Sequence, residues 1–315
     1  MPILIALVCV CGIVIVIDIV LLIKWLVYQH QLENHPNEAL TLADTTHLDA
    51  EPRLPRSPFA ATWSLVHPFL AMQAVLIGAN VASLFPLIAA LAILASKKGL
   101  AGLSDQHALA PYMMSVVIFA LFAQNFLFVG TVAYCLRRYG SSLKEIGLRK
   151  PTLKEVGLGL GLGVLMMLVA NGLEAGLGGL LAKWLPQQIQ HQLSEQTKSF
   201  SAGDMFGKID SNWTKLIFLI AGGLAAPIGE EVFFRGLLFN SLKRRFNVPA
   251  AIVLSGLVFA LIHISPLAIF IIFPMGAFLA YVYHRTNSLW VTILMHAVNN
   301  TTAFILMWLF PKLGH

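Results

Sequence analysis

Long apolar runs, separated by short polar connections, dominate the chain. A helix needs roughly 20 apolar residues to cross the hydrocarbon core of a bilayer. The pattern therefore predicts an all-α fold, a polytopic transmembrane helix bundle with about eight spans. The predicted spans cover residues 2–28, 72–96, 112–136, 156–182, 215–242, 248–264, 266–284 and 288–310.

One segment inside the fourth run has an ambiguous pattern. Gly and Leu alternate from Gly157 to Gly163, a period of two that fits a strand. An open strand in lipid would leave its backbone groups unpaired, so a strand is disfavoured. We expect a helix whose small residues let a neighbouring helix approach closely. The likeness to a nucleotide-binding Gly-rich loop is superficial.

The composition excludes a soluble or disordered protein. Of the 315 residues, 57% are hydrophobic and 11% are charged, whereas soluble domains carry about 45–50% apolar and about 25% charged residues. The net charge of +6 is explained by basic cytoplasmic loops. No basic patch is interleaved with aromatic residues for base stacking, so we expect no nucleic-acid partner.

The distribution of Lys and Arg predicts an orientation. With eight spans and the N-terminus outside, most of the 21 Lys and Arg residues lie on the cytoplasmic side, as the positive-inside rule requires. The 137–155 loop, which is rich in basic residues, would then be cytoplasmic. We expect a multi-pass protein of a bacterial plasma membrane.

Ionisable residues cluster in the C-terminal spans, where each costs a few kcal/mol or more and so indicates a function. Glu231 and Arg235 are four residues apart, so on a helix they share a face and can pair. Glu230 lies about 100° around the same helix with no such local partner. It is the candidate general base. The alternative is that these residues form a structural ion-pair cluster between helices.

Two further motifs place polar groups in apolar spans. Phe259 and His263 are one helical turn apart, as are His296 and Asn300. An imidazole and an amide on one helix face can donate hydrogen bonds to a developing oxyanion. The alternatives are a satisfied core histidine at 263 and an interhelical hydrogen bond from the asparagine.

The three motifs EExxxR, FxxxH and HxxxN, in this order and each in an apolar span, resemble the CPBP family of intramembrane proteases. This is the group of type II CAAX prenyl proteases and bacteriocin-processing proteins, also called the Abi family. The resemblance covers about residues 140–310, with a lead-in at 142–148 and the run 285–290 before the last motif. It implies a helical bundle that encloses a polar, water-filled cavity within the bilayer.

The resemblance also implies roles for the motif residues. Glu230 would activate the attacking water and His263 would help to position it. His296 and Asn300 would form the oxyanion hole. Glu231 and Arg235 would support the structure of the site.

Metal dependence stays open at this point. Zinc is possible at Glu230, His263 and His296, since two His and a Glu serve in some zinc proteases. No HExxH motif occurs, and the three candidates lie on separate predicted helices. We therefore expect no cofactor and a glutamate-activated water.

The sequence thus predicts an intramembrane endopeptidase that cleaves a membrane-embedded or lipidated peptide. We divide the chain into an N-terminal span with a polar linker (1–60), additional transmembrane helices (61–139) and a CPBP-like protease core (140–315). The main alternative is a non-catalytic membrane scaffold or sensor partner with the same fold. A transporter or proton relay is disfavoured because no internal repeat is visible. The oligomeric state is not indicated.

Overall fold

The computed structural model describes residues 66–98, 106–138, 141–189, 191, 202–207, 209–263 and 269–310. These residues are largely helical and contain no strand. The predicted span at 2–28 and the linker after it lie outside the described residues.

The described helices confirm a polytopic helical bundle. Six of them, α1, α2, α3, α5, α7 and α8, are long and apolar enough to cross a membrane. The eight helices are α1 (Val66–Lys98), α2 (Gln106–Arg138), α3 (Leu153–Trp184), α4 (Ala202–Gly207), α5 (Asn212–Leu242), α6 (Val248–Leu261), α7 (Ile269–Thr286) and α8 (Leu289–Leu309).

Helix α6 is shorter than the predicted span 248–264. It has 14 residues, which give about 21 Å, less than the roughly 30 Å of the hydrocarbon core. The side chain of Asn247 caps its first turn by accepting from the Ala250 N–H. The helix ends at Leu261, and His263 lies in the turn beyond, where its backbone N–H donates to the Ala260 carbonyl three residues back.

Helix α5 forms the centre of the bundle and is not uniform along its length. Two π-helical segments, Leu219–Ala225 and Val232–Phe239, flank an α-helical turn at Ala226–Glu231. Phe128 of α2 stacks on Phe233 with ring centroids 4.6 Å apart, so α2 packs directly on α5. Segments of π-helix are rare and frequently mark functional sites.

The division of the chain at residue 139/140, between the additional transmembrane helices and the protease core, stays a prediction.

The glycines of α3 act as the helical interpretation predicts. A Cβ atom at Gly163 would lie 2.8 Å from Val298 Cβ, and one at Gly159 would lie 2.9 Å from Leu294 Cβ. Both partners belong to α8. Gly157 and Gly161 have no such neighbour within 4 Å. The alternation therefore produces one close-packed glycine face on a helix, and the strand interpretation is excluded.

Three connections meet at one end of the bundle. The Leu289 N–H donates to the Gly147 carbonyl (3.1 Å), and the Tyr283 hydroxyl donates to the Ile146 carbonyl (3.0 Å). That hydroxyl also accepts from the Asn240 side chain (2.9 Å). Gly147 has φ 81° and sits against the Asn287 carbonyl, so only glycine fits there. The loop after α2 therefore lies at the same end of the bundle as the α7–α8 connection and the end of α5, while the membrane side that this end faces stays a prediction.

The close α3–α8 contact predicts a selective effect of one methyl group. Gly163→Ala would overpack the contact, and we expect a loss of about 1–3 kcal/mol in the free energy of unfolding. Gly161→Ala adds the same atom in open space, where alanine is the better helix former, and should raise stability by about 0.5–1 kcal/mol. Thermal unfolding of both variants in detergent measures the difference. Equal midpoints for the two variants would contradict the packing.

Candidate active site

A buried ion pair forms the base of the site. Arg235 Nη1 lies 2.7 Å from Glu231 Oε1, and neither side chain is exposed to solvent. This is the pairing predicted from the spacing of four residues. Arg235 Nη2 also donates to the Gly276 carbonyl (3.1 Å), and the guanidinium lies 4.5 Å from the Phe259 ring centroid. The cation is thus held by a carboxylate, a carbonyl and an aromatic face from three helices.

The contact with α7 depends on small residues. A Cβ atom at Gly276 would lie 2.9 Å from Phe259 and 3.2 Å from the Gly256 carbonyl. A Cβ atom at Gly256 would lie 2.7 Å from the backbone nitrogen of Ala277. Helices α6 and α7 therefore touch backbone to backbone, and this contact brings the Gly276 carbonyl within reach of Arg235.

His296 joins both glutamates across the bundle. Its Nδ1 lies 3.0 Å from Glu231 Oε1, and its Nε2 lies 3.9 Å from Glu230 Oε2. Glu231 is ionised in its pair with Arg235 and can only accept, so Nδ1 carries the hydrogen and donates. The distance from Nε2 to Glu230 is too long for a hydrogen bond. One water molecule could bridge it.

Helix α2 packs against the backbone beside Glu230. Gly229 touches Asn125, whose Cα would lie 2.8 Å from a Cβ atom at position 229. Asn125 is buried, its Nδ2 donates to the Leu121 carbonyl, and its Oδ1 has no hydrogen-bond partner among the described residues. Sequence analysis missed this residue, although the glycine directly before the two glutamates was a signal of close backbone packing.

Asn300 lies one turn beyond His296 on α8 and makes the interhelical hydrogen bond that was its alternative role. Its Nδ2 donates to the Gly222 carbonyl of α5 (3.1 Å), while its Oδ1 accepts from Asn299 Nδ2 (3.2 Å). The amide is therefore held at both ends. Because Nδ2 carries two hydrogens, one N–H is left after the bond to Gly222.

His263 joins the site through Phe259 rather than directly. The two rings lie 5.0 Å apart, and the Phe259 ring also lies 5.7 Å from that of His296. His263 Nδ1 is 2.7 Å from the Phe259 carbonyl. No hydrogen bond or ion pair found in the described part of the chain connects His263 with Glu230 or His296.

The possible zinc ligands do not converge in this arrangement. Across the described ranges, no three His, Cys, Asp or Glu side chains lie close enough to hold a metal ion. Glu230 and His296 are neighbours, but His263 is not the third member of a ligand set with them.

A comparison with known protein families identifies the region that carries these side chains. The type II CAAX prenyl endopeptidase Rce1-like family matches residues 212–302. Residues 212–302, the Rce1-like segment, are thus similar to that family, and the match covers less than a third of the chain. The Rce1-like segment runs from α5 into α8 and contains all seven residues of the three motifs, so the resemblance to the CPBP proteases is confirmed.

One curated relative points the same way. YdiL of Bacillus subtilis, a protein named as a candidate membrane peptidase, is 30% identical over 90 residues. That alignment covers 29% of this chain and 37% of YdiL, so the chain matches little more than a third of its relative's length. No solved structure matches the chain.

The buried pair predicts unequal effects of two arginine substitutions. Arg235→Met leaves Glu231 as a buried charge without its cation, so we expect a loss of about 3–5 kcal/mol in the free energy of unfolding. Arg149, paired with Glu155 at 2.6 Å, is 43% exposed, and Arg149→Met should cost about 1 kcal/mol or less. Thermal unfolding in detergent compares the two, and similar losses would contradict the assigned burial.

Proposed function

We propose that the protein is an intramembrane endopeptidase in which Glu230 activates a water molecule. The observation that carries the proposal is the position of His296, with one ring nitrogen on Glu231 and the other facing Glu230. An imidazole oriented by one carboxylate and turned towards a second is an arrangement suited to moving protons. The Rce1-like match of the segment supports peptide hydrolysis over other uses of such a site.

The proposed reaction begins with a water molecule between Glu230 and His296. Its oxygen attacks the carbonyl carbon of the peptide bond, and Glu230 takes the proton. When the tetrahedral intermediate collapses, the C–N bond breaks and Glu230 returns the proton to the leaving amine. Glu230 and His296 are both buried, so a water molecule held between them would be shielded from lipid.

His296 and Asn300 are the proposed donors to the oxyanion. His296 would donate from Nε2, which requires a proton on both ring nitrogens because Nδ1 already donates to Glu231. Asn300 would use the N–H of Nδ2 that the Gly222 carbonyl leaves free. Removing one such donor typically lowers kcat about 100-fold to 1,000-fold.

The proposed roles of the other residues follow their contacts. Glu231 and Arg235 support the site by holding His296. For His263, the short contact of Nδ1 with the Phe259 carbonyl leaves Nε2 as the nitrogen that would help to position the water. His263 is therefore assigned a smaller share of the catalysis than Glu230.

The proposed substrate is a membrane-embedded or lipidated peptide, presented from the bilayer in which the six spans lie. The family name specifies prenylated CAAX proteins for the relatives that it describes, and a prenyl anchor would hold such a peptide at the bilayer. We further propose a bacterial plasma membrane, with the basic end of the bundle in the cytoplasm.

Replacement of Glu230 tests the proposal. Glu230→Gln keeps the shape of the side chain but removes the base, so cleavage products present with the wild type should disappear. Peptidomics of membranes that contain either protein measures this. Glu174→Gln is the matched control, because Glu174 is an exposed glutamate within the span of α3. It should release the same peptides as the wild type.

The same comparison separates the enzyme from a scaffold or sensor partner. The engaged Asn300 amide and the indirect contact of His263 are the observations that favour a non-catalytic protein. If Glu230→Gln leaves both the peptide pattern and the biological output unchanged, the scaffold is correct and the peptidase is not.

A second experiment tests the metal-free mechanism. We expect the purified protein to contain well under one equivalent of zinc per chain. Its cleavage rate should be unchanged after treatment with a strong chelator and dialysis. Loss of activity on chelation, with recovery on adding zinc, would show that a metal-dependent mechanism operates instead.

A further inference from the structure

The hydrogen bonding of α5 changes register just before the two glutamates. The Ala226 N–H donates to the Ala221 carbonyl, five residues back, in place of the four of an α-helix. The next donor in this register would be the N–H of residue 227, and its acceptor would be the Gly222 carbonyl. Residue 227 is proline, which has no N–H.

The unfilled carbonyl is the one that Asn300 binds. Asn300 Nδ2 lies 3.1 Å from the Gly222 carbonyl oxygen, at a position where α5 is buried. A buried carbonyl without a partner is costly, so the side chain from α8 satisfies a vacancy that Pro227 creates. In turn, the carbonyl determines which end of the amide is Nδ2, since only that end can donate.

Close approach of the two helices makes this contact possible. A Cβ atom at Gly223 would lie 2.7 Å from Thr301 Cγ2, and one at Gly222 would lie 3.0 Å from the Phe304 ring. Side chains at these two positions would hold α8 away from α5. The glycine pair and the proline therefore act together: the glycines bring the Asn300 amide to the backbone, and the proline keeps its acceptor free.

We propose that Pro227 is a positioning residue that acts through Asn300. By leaving the Gly222 carbonyl free, it holds the Asn300 amide with its second N–H available to the oxyanion. The catalytic part of this inference rests on the proposed function, while the link from Pro227 through Gly222 to Asn300 does not. Nothing in the position of Pro227 requires it to touch the substrate.

Pro227→Ala supplies the missing N–H and tests the link. If the helix keeps its five-residue register, residue 227 donates to the Gly222 carbonyl. If the helix relaxes to the α register, residue 226 does so. In both cases Asn300 loses its acceptor to the backbone. If residue 227 instead donates to the Gly223 carbonyl, in the α register of Ala226–Glu231, Asn300 keeps its acceptor and the link is refuted.

A thermal double-mutant cycle needs no substrate. Asn300→Ala should lower the unfolding midpoint in the wild-type background, because it leaves the Gly222 carbonyl unpaired. In the Pro227→Ala background the same substitution should lower it much less. Pro86→Ala replaces a proline inside α1, outside the Rce1-like segment, and should leave the effect of Asn300→Ala at its wild-type size. Equal effects in all three backgrounds would overturn the link.

The kinetic arm uses a peptide that the wild type releases and Glu230→Gln does not. Asn300→Ala should lower kcat about 100-fold with KM little changed. Pro227→Ala should lower kcat in the same way, and the double variant should be no slower than Asn300→Ala alone. A further loss in the double variant would show that Pro227 acts by another route, such as the placement of Glu230, and would overturn the positioning role.

The two arms separate the possible failures. If Asn300→Ala lowers the unfolding midpoint less in the Pro227→Ala background, the link holds. If the wild type and Glu230→Gln then give identical peptide patterns, the proposed function is refuted and the link remains. Uncoupled midpoints would refute the link even in a protein that cleaves peptides.

Discussion

The cost of a fully buried arginine constrains the rest of the site. Arg235 is inaccessible to solvent within α5, and an unpaired charge there would be strongly destabilising. Glu231, one turn earlier on the same helix, neutralises it, but the Nε of Arg235 and Oε2 of Glu231 have no hydrogen-bond partner among the described residues. Other helices add contacts to the pair: the Gly276 carbonyl accepts from Arg235 Nη2, the Phe259 ring faces the guanidinium, and His296 bonds to Glu231 Oε1.

Those helices can approach the Glu231–Arg235 pair because glycines lie at the points where the helices cross. Transmembrane helices associate by close packing rather than by excluding water from apolar surfaces, so small residues at the crossings matter. Gly276 and Gly256 bring α6 to α7, and Gly229 admits Asn125 from α2. The Gly222–Gly223 pair admits α8. The charged centre and the α6–α7 crossing are therefore two parts of one arrangement, since this crossing presents the Gly276 carbonyl to Arg235.

Much of this fold follows from local pattern. Span length, the pairing of Glu231 with Arg235 and the helical state of the Gly-Leu alternation all depend on residues within one or two turns, and sequence spacing predicts them. The early end of α6 was missed because apolar residues continue past it, while the helix ends at Leu261.

Contacts between distant segments could not be predicted in this way. His296 meets Glu231 across 65 residues, and Asn300 meets Gly222 across 78. Neither spacing carries a periodic signal. A pattern based on 3.6 residues per turn also cannot predict the π-helical segments. Gly222, Gly223 and Pro227 nevertheless mark the place where the hydrogen-bond register changes.

The two adjacent glutamates show how the same side chain acquires different chemistry from its surroundings. Glu231 Oε1 accepts from Arg235 and from His296, so this carboxylate is fixed in place by two donors. Glu230 is turned about 100° around the helix and retains slight exposure. His296 Nε2 lies too far from the Glu230 carboxylate for a direct hydrogen bond. Glu230 stands outside the buried pair of Glu231 with Arg235, and this difference supports the proposal that Glu230 is the base.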